Sequence, residues 1–222
     1  MHIGLIGGIG PAATDFYYRR LISQYASHGT PLDLTIVHAD APTLLRHLAT
    51  NDTAGQVAIY QRVTQRLVAA GADCVVVTSI AGHFCIAEFE AVSPLPVINL
   101  IAAVNQAITK RGLSRIGILG TRTVMESRLY GSLPHVELIP PTGSELDDVH
   151  EAYVTMAAAG VVTDAQRAVF DRAARRLEQA HVEAIMLGGT DLALVYREAD
   201  APFPLVDCAG IHVEAIVREA LR

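Results

Sequence analysis

The sequence predicts an α/β protein of two similar lobes, each a short parallel sheet flanked by helices, related by a pseudo-twofold axis with the site in the cleft between them. Three observations carry this. Short β-branched runs alternate with longer segments whose apolar residues recur every three to four positions, the pattern of strands alternating with amphipathic helices. The strand runs are apolar at successive positions, so both faces are to be covered, as in parallel sheets packed under helices. Finally, the first half recurs in the second. "IGLIGGIGP" (3–11) resembles "IGILGTRTV" (116–124), and "VVVTSIAGH" (75–83) resembles "IMLGGTDLA" (185–193), with Ser79 opposite Gly189. A solenoid would repeat every ~20–50 residues; the separation here is about 110 and indicates two related halves.

Taken in order, "HIGLIG" is the first strand, and the Gly-rich turn after it leads through Pro11, suited to a first helical position, into the helix "AATDFYYRRLISQYAS". "DLTIVHA" is the second strand, followed by the helix "AGQVAIYQRVTQRLVAAG" and the strand "CVVVTS". "LPVINL" is a further strand, and "AAVNQAITKRG" the helix that crosses to the second half. There "RIGILG", "VELIP", "EAIMLG" and "FPLVDC" are strands, and "TVMESRLYGSL" and "DAQRAVFDRAARRLEQAH" helices. The C-terminal strand and helix are expected to return to the first lobe, so that residues 1–98 plus 204–222 form one lobe and 99–203 the other. Right-handed crossovers place the loops after residues 6, 78, 119 and 187 along the sheet edges where such folds bind ligands.

Bulk properties narrow the function. The 222 residues are 51% hydrophobic and 18% charged, with a formal net charge of −6, which suits a globular chain and gives no basic stripe for nucleic acid. The apolar runs are of strand length, short of the ~20 residues of a membrane span. The opening "MHIGLIGGIG" lacks a charged region and cleavage pattern, so no signal peptide is expected. Cys74, Cys85 and Cys208 are an odd number without metal-type spacing, and a reduced, cytoplasmic protein is the expectation. The histidines form no ligand spacing either, and no metal is expected.

The candidate site residues lie at the strand ends. In "GGIGPAAT", Gly8, Gly10 and Ala13 satisfy a dinucleotide fingerprint, but Pro11 removes an amide donor. A small carboxylate at this turn and a purely structural turn are the other readings. Ser79 and Thr190 stand at helix starts and read as N-caps, or as groups that act on a ligand. His83, one helical turn beyond Ser79, is placed to accept a proton, and Asp191 sits in a first turn where the helix dipole favours an anion. Thr121 and Thr123 occupy the equivalent turn of the second half. The cysteines read as small buried hydrophobes.

On these residues the chain resembles the cofactor-independent aspartate/glutamate racemase superfamily, nearly end to end. "IGLIGGIGPAATDFYYRRL", "AGADCVVVTSIAGHF", "RIGILGTRTVMESRLYGSL", "VEAIMLGGTDLALV" and "PLVDCAGIHVEAIV" match its ordered segments. The resemblance implies two facing cysteines, one removing the α-proton and the other returning it from the opposite side. Here those positions are Ser79 and Gly189. Ile80 and Ala81 replace an Asn-Thr pair, and Val161 stands where members acting on acidic substrates often carry lysine. Gly8, His83, Thr121 and Thr190 are retained, and Asp191 replaces a glutamate.

A thiol of pKa ~8.5 can be tuned to a thiolate, whereas a serine hydroxyl is a poor base and glycine offers none. The expectation is therefore a diverged enzyme without cofactor, acting on a small carboxylate or carbonyl substrate by acid/base chemistry, isomerase- or lyase-like. Catalysis is assigned to Ser79, His83 and Asp191. Binding is assigned to Gly8, Ile9, Gly10, Ile80, Ala81, Thr121, Thr123, Val161, Gly189 and Thr190. A Ser79/His83 hydrolase, a non-catalytic small-ligand-binding protein and a working amino-acid racemase stay open. No nucleic acid, membrane or cofactor partner is expected, and the resemblance implies a homodimer.

Overall fold

A computed structural model describes all of residues 1–222. It contains seven strands, all paired in parallel, in two sheets, and the chain divides into two compact units, Met1–Leu100 with His212–Arg222, and Ile101–Ile211.

In the first unit β1 (His2–Gly7) leads through α1 (Pro11–Ser27) to β2 (Asp33–His38). Then α2 (Ala41–Ala49) and α3 (Thr53–Ala69) precede β3 (Cys74–Val77), which is followed by α4 (Ile86–Val92). The sheet order is β2-β1-β3. β1 and β3 are apolar at successive positions because each is buried throughout or nearly so; β2, at the edge, is largely open. The core joins Ile6, Val75 and Val77 to Tyr60, Val63 and Leu67 of α3 and Phe89 of α4. Asp40 and Asp52 cap α2 and α3 by accepting the Thr43 and Gly55 amides, each at 2.9 Å.

The second unit opens in α5 (Leu100–Arg111), whose first residue still clusters with the first unit, and runs on through β4 (Arg115–Gly120), α6 (Arg122–Glu126) and β5 (Glu137–Ile139). Next come α7 (Ser144–Ala159), α8 (Asp164–Gln179), β6 (Ala184–Gly188), β7 (Leu205–Val206) and α9 (Cys208–Ala220). The order β5-β4-β6-β7 repeats the 2-1-3 arrangement of the first sheet and adds a strand. Leu119, Ile185 and Leu187 pack against Val149, Tyr153 and Met156 of α7 and Phe170, Ala173 and Leu177 of α8.

Three expectations are corrected. "LPVINL" forms only a single bridge, Val97 to Val75, with Val75 N–H donating to Pro96 O at 2.9 Å. "FPLVDC" repeats that contact in the second unit, where Ile185 N–H donates to Pro204 O at 2.9 Å. The C-terminal strand is thus the second unit's own, paired with β6, and only from His212 does the chain rejoin the first unit. The division falls after Ile211 and not at 204, because pairing with β6 keeps this strand with the second sheet. Third, "TVMESRLYGSL" is helical only as far as Glu126. Arg128, Leu129 and Tyr130 turn left-handed at φ 51, 55 and 59°, and the Ser127 hydroxyl accepts the Tyr130 amide at 3.0 Å.

At Gly8 glycine is doubly required. Its φ is +86°, and a Cβ there would stand 2.2 Å from His38 Nδ1 and 2.6 Å from the Ala39 carbonyl. Gly8→Ala is expected to destabilise by about 2 kcal/mol or more, read as a lower urea midpoint; an unchanged midpoint would show that the turn relaxes without cost.

Candidate functional site

In the first unit, β3 is fastened to β1 by Thr78, whose hydroxyl and amide both donate to Ile6 O, at 3.0 and 3.2 Å. The next residue, Ser79, is buried, and its hydroxyl oxygen accepts the Gly82 amide at 3.3 Å. That bond closes the 3-10 turn Ala81–Cys85 and leaves the Ser79 O–H able to donate. Tyr60 lies over the turn and donates to Gly82 O at 3.1 Å. Ile9, Ile80 and Ala81 are all buried.

His83 does not face the Ser79 hydroxyl. Its Nε2 accepts the Leu100 amide at 3.3 Å, so Nδ1 carries the proton and donates to the Ser79 carbonyl at 2.6 Å. Burial lowers its pKa to about 4. A ring with both nitrogens occupied by backbone cannot take a proton from Ser79, and the Ser79/His83 hydrolase loses its base. His212, whose ring centroid is 6.2 Å away, repeats the arrangement: Tyr17 Oη lies 2.8 Å from Nδ1, and Nε2 donates to Ile98 O at 2.7 Å.

The glycine turn is also occupied by its own chain. The Gly8 amide donates to the Thr14 hydroxyl at 2.9 Å, and that hydroxyl donates to Gly10 O at 3.1 Å. With Pro11 lacking an N–H and Gly8 committed, a pyrophosphate would lose two donors of the fingerprint.

In the second unit Thr121 is the N-cap of α6, accepting the Val124 amide at 3.3 Å, and Thr123 lies half-buried within that helix. The Arg122 amide donates to His150 Nδ1 at 3.1 Å, and its guanidinium bridges Glu126 and Asp147. Burial, then the Arg122 charge, lowers the His150 pKa. At the end of β6, Gly189 and not Thr190 holds the N-cap position of the 3-10 turn Thr190–Leu194, with no side-chain cap. Thr190 and Asp191 are buried, and Tyr153 of α7, also buried, donates its phenol to Asp191 Oδ2 at 3.1 Å. Burial, then the Asp191 charge, holds the Tyr153 pKa well above the usual phenol value. Val161, expected to line the site, is 61% exposed, because the left-handed Gly160 ends α7 just before it.

No cysteine stands at the carboxyl end of β1, β3, β4 or β6: Cys74 opens β3, Cys85 ends the 3-10 turn and Cys208 opens α9. Burial raises the thiol pKa of Cys74; burial, then Glu88, pushes Cys85 up to about 12; burial, then Asp207, pushes Cys208 up. Within the second unit a cavity of about 570 Å³ opens between α8 and residues 194–203, beside Arg167, Arg175, Tyr196 and Phe203; none of the sequence-predicted site residues lines it.

Sequence reasoning missed Tyr153, His150 and Arg122. The signal for α7 was present: Leu146, Val149, Tyr153 and Met156 recur at helical spacing and form its buried stripe. A tyrosine on such a stripe needs a partner for its hydroxyl, and Asp191 is that partner.

A family model described as Asp/Glu/hydantoin racemase matches residues 6–216. Among solved structures, a protein assigned as an Asp/Glu racemase from Yersinia pestis is 27% identical, with a TM-score of 0.84 over 100% of both chains. An aspartate racemase homologue from Pyrococcus horikoshii OT3 is 22% identical, with a TM-score of 0.81 over 100% of this chain and 99% of that one. Glutamate racemase from Francisella tularensis, in complex with D-glutamate, is 16% identical, with a TM-score of 0.71 over 99% of this chain and 81% of that one.

Proposed function

The chain belongs to the Asp/Glu/hydantoin racemase family, and from that premise we propose a diverged member that works without a cofactor on a small carboxylate or carbonyl substrate. Its chemistry is proton transfer at carbon, isomerase- or lyase-like, and not exchange between two thiols. The observation that carries this reading is the pair of residues just beyond β3 and β6, Ser79 and Gly189, at the positions the resemblance gives to cysteines. Neither is a base at neutral pH. The cysteines the chain does have are buried with raised pKa values, so they supply no thiolate in their place.

Removing a proton next to a carboxylate moves negative charge onto its oxygens, and fixed donors lower the barrier most where that charge develops. The hydroxyls of Thr121 and Thr190 are the donors in this reading, and Asp191 is the acid/base group. A cytoplasmic protein and a homodimer accompany it, supported by the resemblance alone.

The test is deuterium wash-in from D₂O into a panel of small mono- and dicarboxylates, before and after iodoacetamide treatment of the native protein. Exchange that survives alkylation is the expected result. Racemisation of aspartate that alkylation abolishes would overturn the reading. The second reading, a non-catalytic binder, draws on the withdrawal of His83 into backbone hydrogen bonds; tight binding with no exchange for any ligand would favour it.

A further inference from the structure

The helix α8 carries two adjoining stripes. Phe170, Ala173, Ala174 and Leu177 are buried in the core of the second unit. Arg167, Asp171, Arg175 and Glu178, at helical spacings of three to four, line the cavity of about 570 Å³, whose other wall is the segment 194–203. That volume is within the range of roughly 300–1,000 Å³ usual for small-molecule sites. An inorganic ion alone would leave most of it empty. On the far wall the buried rings of Tyr196 and Phe203 meet edge to face, with centroids 5.1 Å apart, and Leu194 and Pro202 extend the apolar surface.

The charges decide which ligand suits it. Arg167 is half-buried, and its guanidinium donates to the carbonyls of Leu194 and Val195. Arg175 and Arg197 are exposed and make no side-chain hydrogen bond. None of the three forms an ion pair, whereas Arg19, Arg111, Arg115, Arg122 and Arg176 all do. On the acidic side, the half-buried Asp171 accepts the Tyr196 phenol at 2.8 Å, and Glu178 and Asp200 are exposed. The charges that act on Tyr196 are those of Asp171, Arg167 and Arg175, so around the phenol two guanidiniums stand against one carboxylate. A single negative charge balances that set. A second would find no excess guanidinium to answer it, with Glu178 and Asp200 also on the lining, and a cation would add to the excess already there.

We propose that this cavity is a binding site for a small monocarboxylate with an aromatic or apolar body, separate from the residues at the strand ends. The body packs on Tyr196, Phe203 and Pro202. The planar carboxylate is taken by Arg167 and Arg175, whose guanidiniums match it in geometry. None of the strand-end residues lines the cavity, so the inference does not rest on the function proposed above.

The test is an NMR titration of the isotope-labelled full chain with three probes. Benzamide keeps the ring of benzoate and loses its charge; acetate keeps the charge and loses the ring. Benzoate is expected to bind about tenfold more tightly than either, with the largest amide shifts in residues 194–203. Arg175→Gln changes an exposed side chain without a partner, so its Tm should stay within about 2 °C of the native value. It should weaken benzoate about tenfold, to the level of benzamide. Benzoate that binds no better than benzamide, or not at all at millimolar concentration, overturns the proposal. So does a benzoate affinity that Arg175→Gln leaves unchanged. Shifts centred on residues 79–83 and 189–192 would then assign the ligand to the strand ends, and the function proposed there would stand while this inference fell. Benzoate held at residues 194–203 in a protein that exchanges deuterium into no carboxylate would have the opposite effect.

Discussion

Lowering the pH from 7 to 5 is expected to remove about 4 kcal/mol of folding stability through two side chains, His83 and His212. Burial lowers the pKa of His83 to about 4; burial, then the neighbouring His83, lowers that of His212 to about 3. In the unfolded chain both titrate near 6.5. Between these values the unfolded state binds more protons, so stability is fully present above about pH 6.5 and is lost as the pH falls toward 4. The structural cause is plain at His83. Protonating Nε2 would set a new N–H against the Leu100 N–H that now donates to it. Urea midpoints at pH 7 and pH 5 measure the effect, and His212→Gln should roughly halve the acid-induced shift. Equal midpoints at the two pH values would show that the rings accept protons without cost.

This acid sensitivity arises from what local sequence could not reveal. His83 stands four residues beyond Ser79, a spacing suited to proton transfer, and that much was legible. Its actual partners, the Ser79 carbonyl and the Leu100 amide, depend on how the segment after β3 folds back, which no local pattern specifies. His212 is bound to Ile98 O across 114 residues and gave no signal at all. By contrast, the parallel strands, the internal repeat and the strand-end turns were readable, because buried strands must be apolar on both faces and a repeated half must repeat its contacts. The repeat extends to the C-terminal strand as well: Pro96 and Pro204 accept equivalent amides, from Val75 and Ile185.

The second large effect separates the two residues that sequence reading joined as acid and base. Asp191→Ala is expected to lower kcat/KM for deuterium exchange by about 10²–10⁴-fold, the range for a lost acid/base group. It should also destabilise by about 1–3 kcal/mol, because the Tyr153 phenol loses its acceptor in a buried setting. Asp191→Asn divides these costs: the amide oxygen can still accept from the phenol, but the side chain can no longer take a proton. Stability near the native level with turnover as low as in the alanine variant would identify the carboxylate as the reacting base. Recovery of turnover in the asparagine variant would reduce Asp191 to holding Tyr153 in place. His83→Gln is expected to behave oppositely, lowering the urea midpoint while the folded protein keeps its exchange rate within a few-fold, because its ring nitrogens serve the backbone. If instead His83→Gln abolishes exchange at full stability, the ring must leave Leu100 or Ser79 to act on the substrate.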